Sequence, residues 1–186
     1  MKRLLLILIL SFNFQSWACA NDIKDFEIEG IALEDSALKY FDEKTIKRNS
    51  RSPYKDNKYT VVQNDKLPHF ETYDFFDFRF FTNDKKYIMQ SIAGIIDFSD
   101  IDYSECLKLR KDISENIKSL VPNLDMEIHD REETSSSKGY YDQTTFYSDD
   151  GNIGVTCYNY EKFHNFLSVT ISNKEYEKYL ISGPYN

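Results

Sequence analysis

Three cysteines, three histidines and a crowd of acids carry the side-chain chemistry this chain has to offer. His69, His129 and His164 fall in separate segments. None has a second histidine three or four residues on, so the helix-borne zinc motif is missing. Asp97, Asp100, Asp102 and Glu105 crowd one short span and could serve as a paired acid and base. The same residues suit the start of a helix, where carboxylates cap free amides, and capping accounts for them without chemistry. Asp149-Asp150-Gly151-Asn152 offers oxygens to calcium, but the alternating ligands and closing Glu of an EF-hand are absent. A hairpin turn explains it better. The nucleophile elbow, the S-x-x-K pair, the phosphate loop and the dinucleotide fingerprint are all missing. The chain is therefore read as non-enzymatic, with no catalytic residue, metal or cofactor. A hydrolase built on an unrecognised His or carboxylate constellation is the least favoured reading.

The cysteines point to structure and compartment. Lys2 and Arg3 precede the unbroken apolar run 4–10, which is too short to span a bilayer. Ala18 and Ala20 supply small residues at a cleavage site, so residues 1–20 read as a signal peptide and the mature chain starts at Asn21. The alternative is a lipoprotein anchored through Cys19, but bulky Trp17 and Ser16 fit that signal poorly. Cleavage removes Cys19 and leaves Cys106 and Cys157, an even pair that reads as a disulfide in an exported protein. A catalytic thiol would need a depressed pKa and a nearby His.

Losing Lys2 and Arg3 leaves 21 basic residues against 31 acids, and the net charge moves from −8 to −10. Such a chain repels phosphate backbones and anionic lipid, so nucleic acid is excluded as a partner. No transmembrane segment is expected in the mature chain. Tyr140, Tyr141, Tyr147, Tyr158 and Tyr160 gather around two neighbouring strands. Aromatic platforms stack on sugars or on partner proteins; the plainer reading is cross-strand pairing within the sheet.

These residues must be held by one domain, residues 21–186. Leu33, Ala37, Leu38 and Phe41 step at helical spacing, and a short helical piece is expected at 42–47. Strands are expected at 58–63 and 71–81, the latter with Phe76, Phe78 and Phe80 on one face. The stretch 87–98 reads as one long central strand, with Gly94 marking a bulge or a close approach by a helix. A helix at 101–120 follows, capped by Asp100 or Asp102, with Asp102 and Glu105 resembling a capping box. Cys106, Leu109, Ile113, Ile117 and Leu120 form its apolar stripe. Further strands are read at 124–131, 143–147, 153–157 and 167–171. A polar excursion lies at 132–139 and a C-terminal helix at 174–181. The fold class is α+β: an antiparallel sheet of about five to seven strands packed on one long helix, with a short N-terminal helix beside it.

The run Ile28-Glu29-Gly30-Ile31, followed by Leu33-Glu34-Asp35-Ser36-Ala37-Leu38-Lys39-Tyr40-Phe41, resembles the opening of a group of small secreted proteins of AT-rich marine alphaproteobacteria. The likeness continues through Lys86-Tyr87-Ile88 and Glu105-Cys106. It implies secretion and carries over no site residues. More distantly, a short amphipathic helix leading into strands is similar to small envelope lipoproteins of the outer-membrane-assembly type. This chain departs from them in its longer sheet region and in lacking a clear lipid-attachment signal. The expected role is that of an exported, periplasmic or secreted protein engaged in protein interaction or associated with the envelope. The alternative is a periplasmic small-ligand binder with a pocket between sheet and helix.

Overall fold

The computed structural model describes residues 23–65, 71–98, 102–134, 138–161 and 164–184. The leader with Cys19, and also Pro68, His69, Asp100, Ile101 and the serine run 135–137, lie outside the described residues. The chain opens with a hairpin, β1 (Glu27–Ile28) and β2 (Ile31–Ala32), then α1 (Glu43–Asn49). A first meander follows: β3 (Ser50–Arg51), β4 (Tyr59–Asp65), β5 (Phe75–Phe81) and β6 (Ser91–Asp97). Helix α2 (Tyr103–Leu120) crosses to a second meander, β7 (Asp125–Glu133), β8 (Gly139–Ser148), β9 (Gly151–Tyr160) and β10 (Phe166–Asn173), and α3 (Lys174–Ile181) ends the run.

Strand β10 returns to pair with β6, so the two meanders fuse into one antiparallel sheet ordered β3-β4-β5-β6-β10-β9-β8-β7. That is eight strands, more than the five to seven expected. The excess is β3, a two-residue piece in a segment rich in turn formers that reads as loop. β6 is fourth of the eight.

Side chains alternate across a sheet, so the register assigns each strand two faces. One face carries Phe76, Phe78, Ile92, Ile171, Ile153 and Phe146, all essentially without solvent contact. Helix α2 and the N-terminal segment cover it, through Ile117, Val121, Ile28, Ile31 and Phe41. Each large apolar side chain buried there contributes about 1.5–3 kcal/mol. Edge strand β7 is left largely exposed. Its row of charges and the irregularity between His129 and Glu132 discourage pairing with another chain.

The expected helix around residues 33–41 does not form. Leu33, Ala37 and Phe41 are buried as the helical spacing required, but the backbone bonds elsewhere. The Glu34 and Ala37 amides donate to Met89 O and Tyr87 O, and the Met89 amide returns to Asp35 O, each near 3 Å. Only a 3-10 turn, Ala37–Lys39, remains, capped by Ser36. The α-helix comes later, at α1, where Asp42 accepts from the Thr45 amide at 2.8 Å. The same contacts shorten the long strand expected at 87–98. Asp84 accepts from the Lys86 and Ile88 amides, each at 2.8 Å, and Tyr87 takes φ +53, so the ladder begins at Ser91.

Gly94 has no bulge around it; pairing to β5 and β10 runs unbroken. Its close neighbour is the Tyr73 ring, where an added Cβ would come within 2.6 Å, and not α2. At the helix start, Asp102 accepts from the Ser104 amide at 2.9 Å rather than forming a box with Glu105. Leu120, at the end of the expected stripe, is exposed.

Cys106 in the first turns of α2 is bonded to Cys157 on β9, with Cα atoms 6.0 Å apart and a sequence separation of 51. Both are fully buried. The chain-entropy model gives about 4 kcal/mol for a closed loop of that length. Denaturant midpoints measured with and without reductant should therefore differ clearly, and thiol reagents should label the native protein only after reduction; two reactive thiols per unreduced chain would overturn the linkage. Gly94→Ala should cost about 1–3 kcal/mol by overpacking against Tyr73, and part of that loss should return in the Gly94→Ala/Tyr73→Ala double variant.

Candidate functional site: a trough on the uncovered sheet face

The face opposite α2 has a different chemistry. In the centre, register puts Ser91 and Ala93 of β6 beside Ser172 and Thr170 of β10, and these beside Asn152 and Gly154 of β9. Ser168 and Thr156 continue the pattern one step on. Because these residues are small, the middle of the face is low, and the right-handed twist of the sheet curves its margins upward. The result is an open trough of about 1170 Å³. No described strand residue lining it is Lys or Glu.

Its margins differ in character. On β5 stand Phe75, Asp77 and Arg79. Leu180 and Ile181 of α3 border one end. At the other, Tyr158, Tyr160 and Phe166 are half-buried and gathered into one cluster. Tyr158 and Tyr160 stack within 6° of parallel at 5.8 Å, and Phe166 lies 4.7 Å from Tyr158.

Asp77 is the unusual residue here. It is 5 % exposed, and its Oδ1 has no hydrogen-bond partner among the described residues. Its Oδ2 lies 3.4 Å from Arg79 Nη2. Burial pushes the carboxyl above the ordinary aspartate value, and the pull of the Arg79 and Arg51 charges and a hydrogen bond with the Gln63 side chain only partly oppose this. A carboxylate desolvated without full compensation is costly to the fold.

The five tyrosines singled out from the sequence are divided by the sheet. Tyr158 and Tyr160 line the trough, and Tyr141 stands 6.0 Å from Tyr158 at its outer side. Tyr147 also lines it, paired to Asn152 and away from the aromatic cluster. Tyr140 is on the opposite face. It packs edge-on against Tyr103 of α2, with the Arg131 guanidinium 4.3 Å from its ring centre. The acids near residue 100 do not converge either: Asp97 lines the trough, Asp102 caps α2 and Glu105 is exposed. His129 lies 3.5 Å from Glu127 on β7, and His164 borders the trough. The Asp149-Asp150 turn is closed internally by Ser148, which accepts from the Asp150 amide. Among the described residues no group of three or more His, Cys, Asp and Glu side chains is placed to hold a metal.

The sequence reading missed Asp77, Arg79 and the hydroxyl floor. The signals were present: a charged pair inside an otherwise aromatic strand, and Ser168, Thr170 and Ser172 alternating with Leu167, Val169 and Ile171. Between the sheet and α2, where a pocket is the expectation from sequence, the described residues Cys106, Ile117 and Val121 belong to the packed core. Comparison of the chain with protein-family models, with curated proteins and with solved structures finds no match.

The raised Asp77 pKa fixes the sign of a stability test. The native state holds this proton more tightly than the unfolded chain does. Its unfavourable contribution is therefore absent at low pH and grows as pH rises from 3.8 through the higher folded value. Asp77→Asn should raise the thermal midpoint at pH 7, and the gain should close as pH approaches 3.8. A variant less stable than the parent at pH 7 would contradict this account.

Proposed function

We propose that the chain is an exported, non-enzymatic binding protein that receives its ligand in the trough. The observation that carries this reading is the composition of the uncovered face. A sheet face meant only for solvent is expected to carry long charged side chains, as β7 does on this face with Glu127 and Glu132. The trough instead presents hydroxyls, amides and half-buried rings around a hollow.

A ligand-sized hollow with a few convergent polar groups suits a small or elongated molecule. A flat protein interface would want an apolar centre, and this centre is Ser and Thr. Protein interaction, the role expected from the sequence, therefore stands second to ligand binding. Export is supported by the leader-like residues 1–20, by the Cys106–Cys157 disulfide and by the likeness to small secreted proteins. Among the described residues no helix is long and apolar enough to cross a membrane.

Two measurements test the proposal. Expressed from its first residue in a bacterial host, the chain should accumulate in the periplasm with the mass of residues 21–186; retention of the leader would refute export. For binding, Thr170→Trp fills the trough without entering the core. Compounds found to bind by amide chemical-shift mapping should move Gly154, Thr156 and Ser168, and should lose that effect in Thr170→Trp. Binders that map to the α2 face, or that ignore the substitution, would count against the trough.

A further inference from the structure

We infer that the ligand of the trough is an oligosaccharide, stacked on Tyr158, Tyr160 and Phe166 and anchored at its far end by Asp77. This rests on the reading of the trough as the binding site.

A peptide that adds to a sheet takes its affinity from backbone groups at an open edge. The trough lies on the sheet face, where the amides and carbonyls of β6, β10 and β9 are already engaged in the ladder. A peptide there would find no backbone partners. An acyl chain would lay hydrocarbon on Ser168, Thr170 and Thr156 and offer their hydroxyls nothing beyond the 3.0 Å bond that Ser168 and Thr170 already make with each other. A polyanion would meet Arg51 and Arg79 but also the three carboxyls of Asp77, Asp97 and Glu177, in a protein of net charge −8.

A sugar chain meets every requirement. Its C–H faces pack on aromatic rings, and its hydroxyls both donate and accept. The ring cluster supplies the first contact, and the Ser and Thr floor supplies the second. Asp77 supplies a carboxylate in the wall of the trough: Gln63 and Arg79 serve it in part, and its Oδ1, covered in the free protein, has no partner among the described residues. Hydrogen bonds to an ionised acceptor are the strong ones, so a sugar hydroxyl donated there would be firmly held.

Register also sets the ligand's length. Tyr158 on β9 is three strands from Asp77 on β5 and four residues further along the sheet. Strand geometry makes that roughly 20 Å. One pyranose ring cannot bridge it, so the ligand that uses both ends is a chain of several sugars.

The test uses the mature protein with its disulfide intact, and cellotetraose, maltotetraose and chitotetraose as probes, read by amide chemical shifts. At least one tetrasaccharide should shift Thr156, Ser168 and Thr170, and its monosaccharide should bind at least about tenfold more weakly. Asp77→Asn and Tyr158→Ala should each weaken binding about tenfold or more. For Asp77→Asn the loss should accompany a gain in stability at pH 7, which a merely structural role would not produce. If Asp77→Asn binds as the parent does, the anchor is wrong. If no sugar moves these amides while a peptide or lipid does so in a Thr170→Trp-sensitive way, the sugar assignment falls and the trough survives. If no ligand of any class moves them, the binding-protein reading falls with it.

Discussion

The pairing of β6 with β10 is the contact on which the rest depends. It runs seven residues, from Phe166 opposite Asp97 to Ser172 opposite Ser91, and joins two meanders that are further linked by α3, whose Tyr176 and Tyr179 pack on Tyr59 of β4. A slip of one residue would exchange its faces. Ile92 and Val169 would then look into solvent, and Ser91 and Thr170 into the core. The correct register is held at one end by Ser91 and Ser172, whose buried hydroxyls lie 2.9 Å apart, and by Asn173, whose amide group donates to Gln90 Oε1 at 2.7 Å. The disulfide acts on the same problem from a distance. By tying α2 to β9, it holds the helix that follows β6 against the second meander, and it cuts the chain entropy that this long-range pairing must overcome.

What could be read from the sequence follows the range of the interactions involved. Helices α2 and α3 and the β8–β9 turn were legible because caps, apolar stripes and turn residues act within a few positions. The Cys106–Cys157 pair was legible by elimination once the leader was set aside. The N-terminal helix was misread because its amides are taken by residues 87–89, some fifty positions away, and no local pattern announces that. Gly94 was noticed, but its neighbour Tyr73 could not be named without the fold. The tyrosine group was partly legible. Tyr140 and Tyr141 are consecutive in a strand, so period two already forbids them a common face.

The two sheet faces divide the work. One is apolar and covered by α2 and the N-terminal segment; the other carries a smaller buried cluster where α3 packs Tyr176 and Tyr179 on Tyr59 and Val61, and beside it a polar, open stretch that adds little to stability. The small side chains of β6, β10 and β9 bury almost no hydrocarbon on the trough side, so the hollow costs packing that Leu or Val at the same positions would provide. Sites of this kind are commonly bought with stability.

Two buried aspartates in this one sheet show why Asp77 belongs to the site and not to the scaffold. Asp142 of β8 points to the covered face. Its Oδ2 accepts from the Tyr103 hydroxyl of α2 at 2.7 Å, and its Oδ1 from the Arg131 amide freed by the irregularity in β7. Both oxygens serve donors that the fold itself leaves over, and the residue stitches helix, bulge and strand together. Asp77 is equally buried but faces the trough, and its Oδ1 serves no donor among the described residues. The fold serves the Asp77 carboxyl through the Gln63 side chain and the 3.4 Å contact with Arg79 and leaves Oδ1 over, whereas both oxygens of Asp142 are used. A ligand hydroxyl that reaches the covered Oδ1 from the trough would supply the donor that the fold does not.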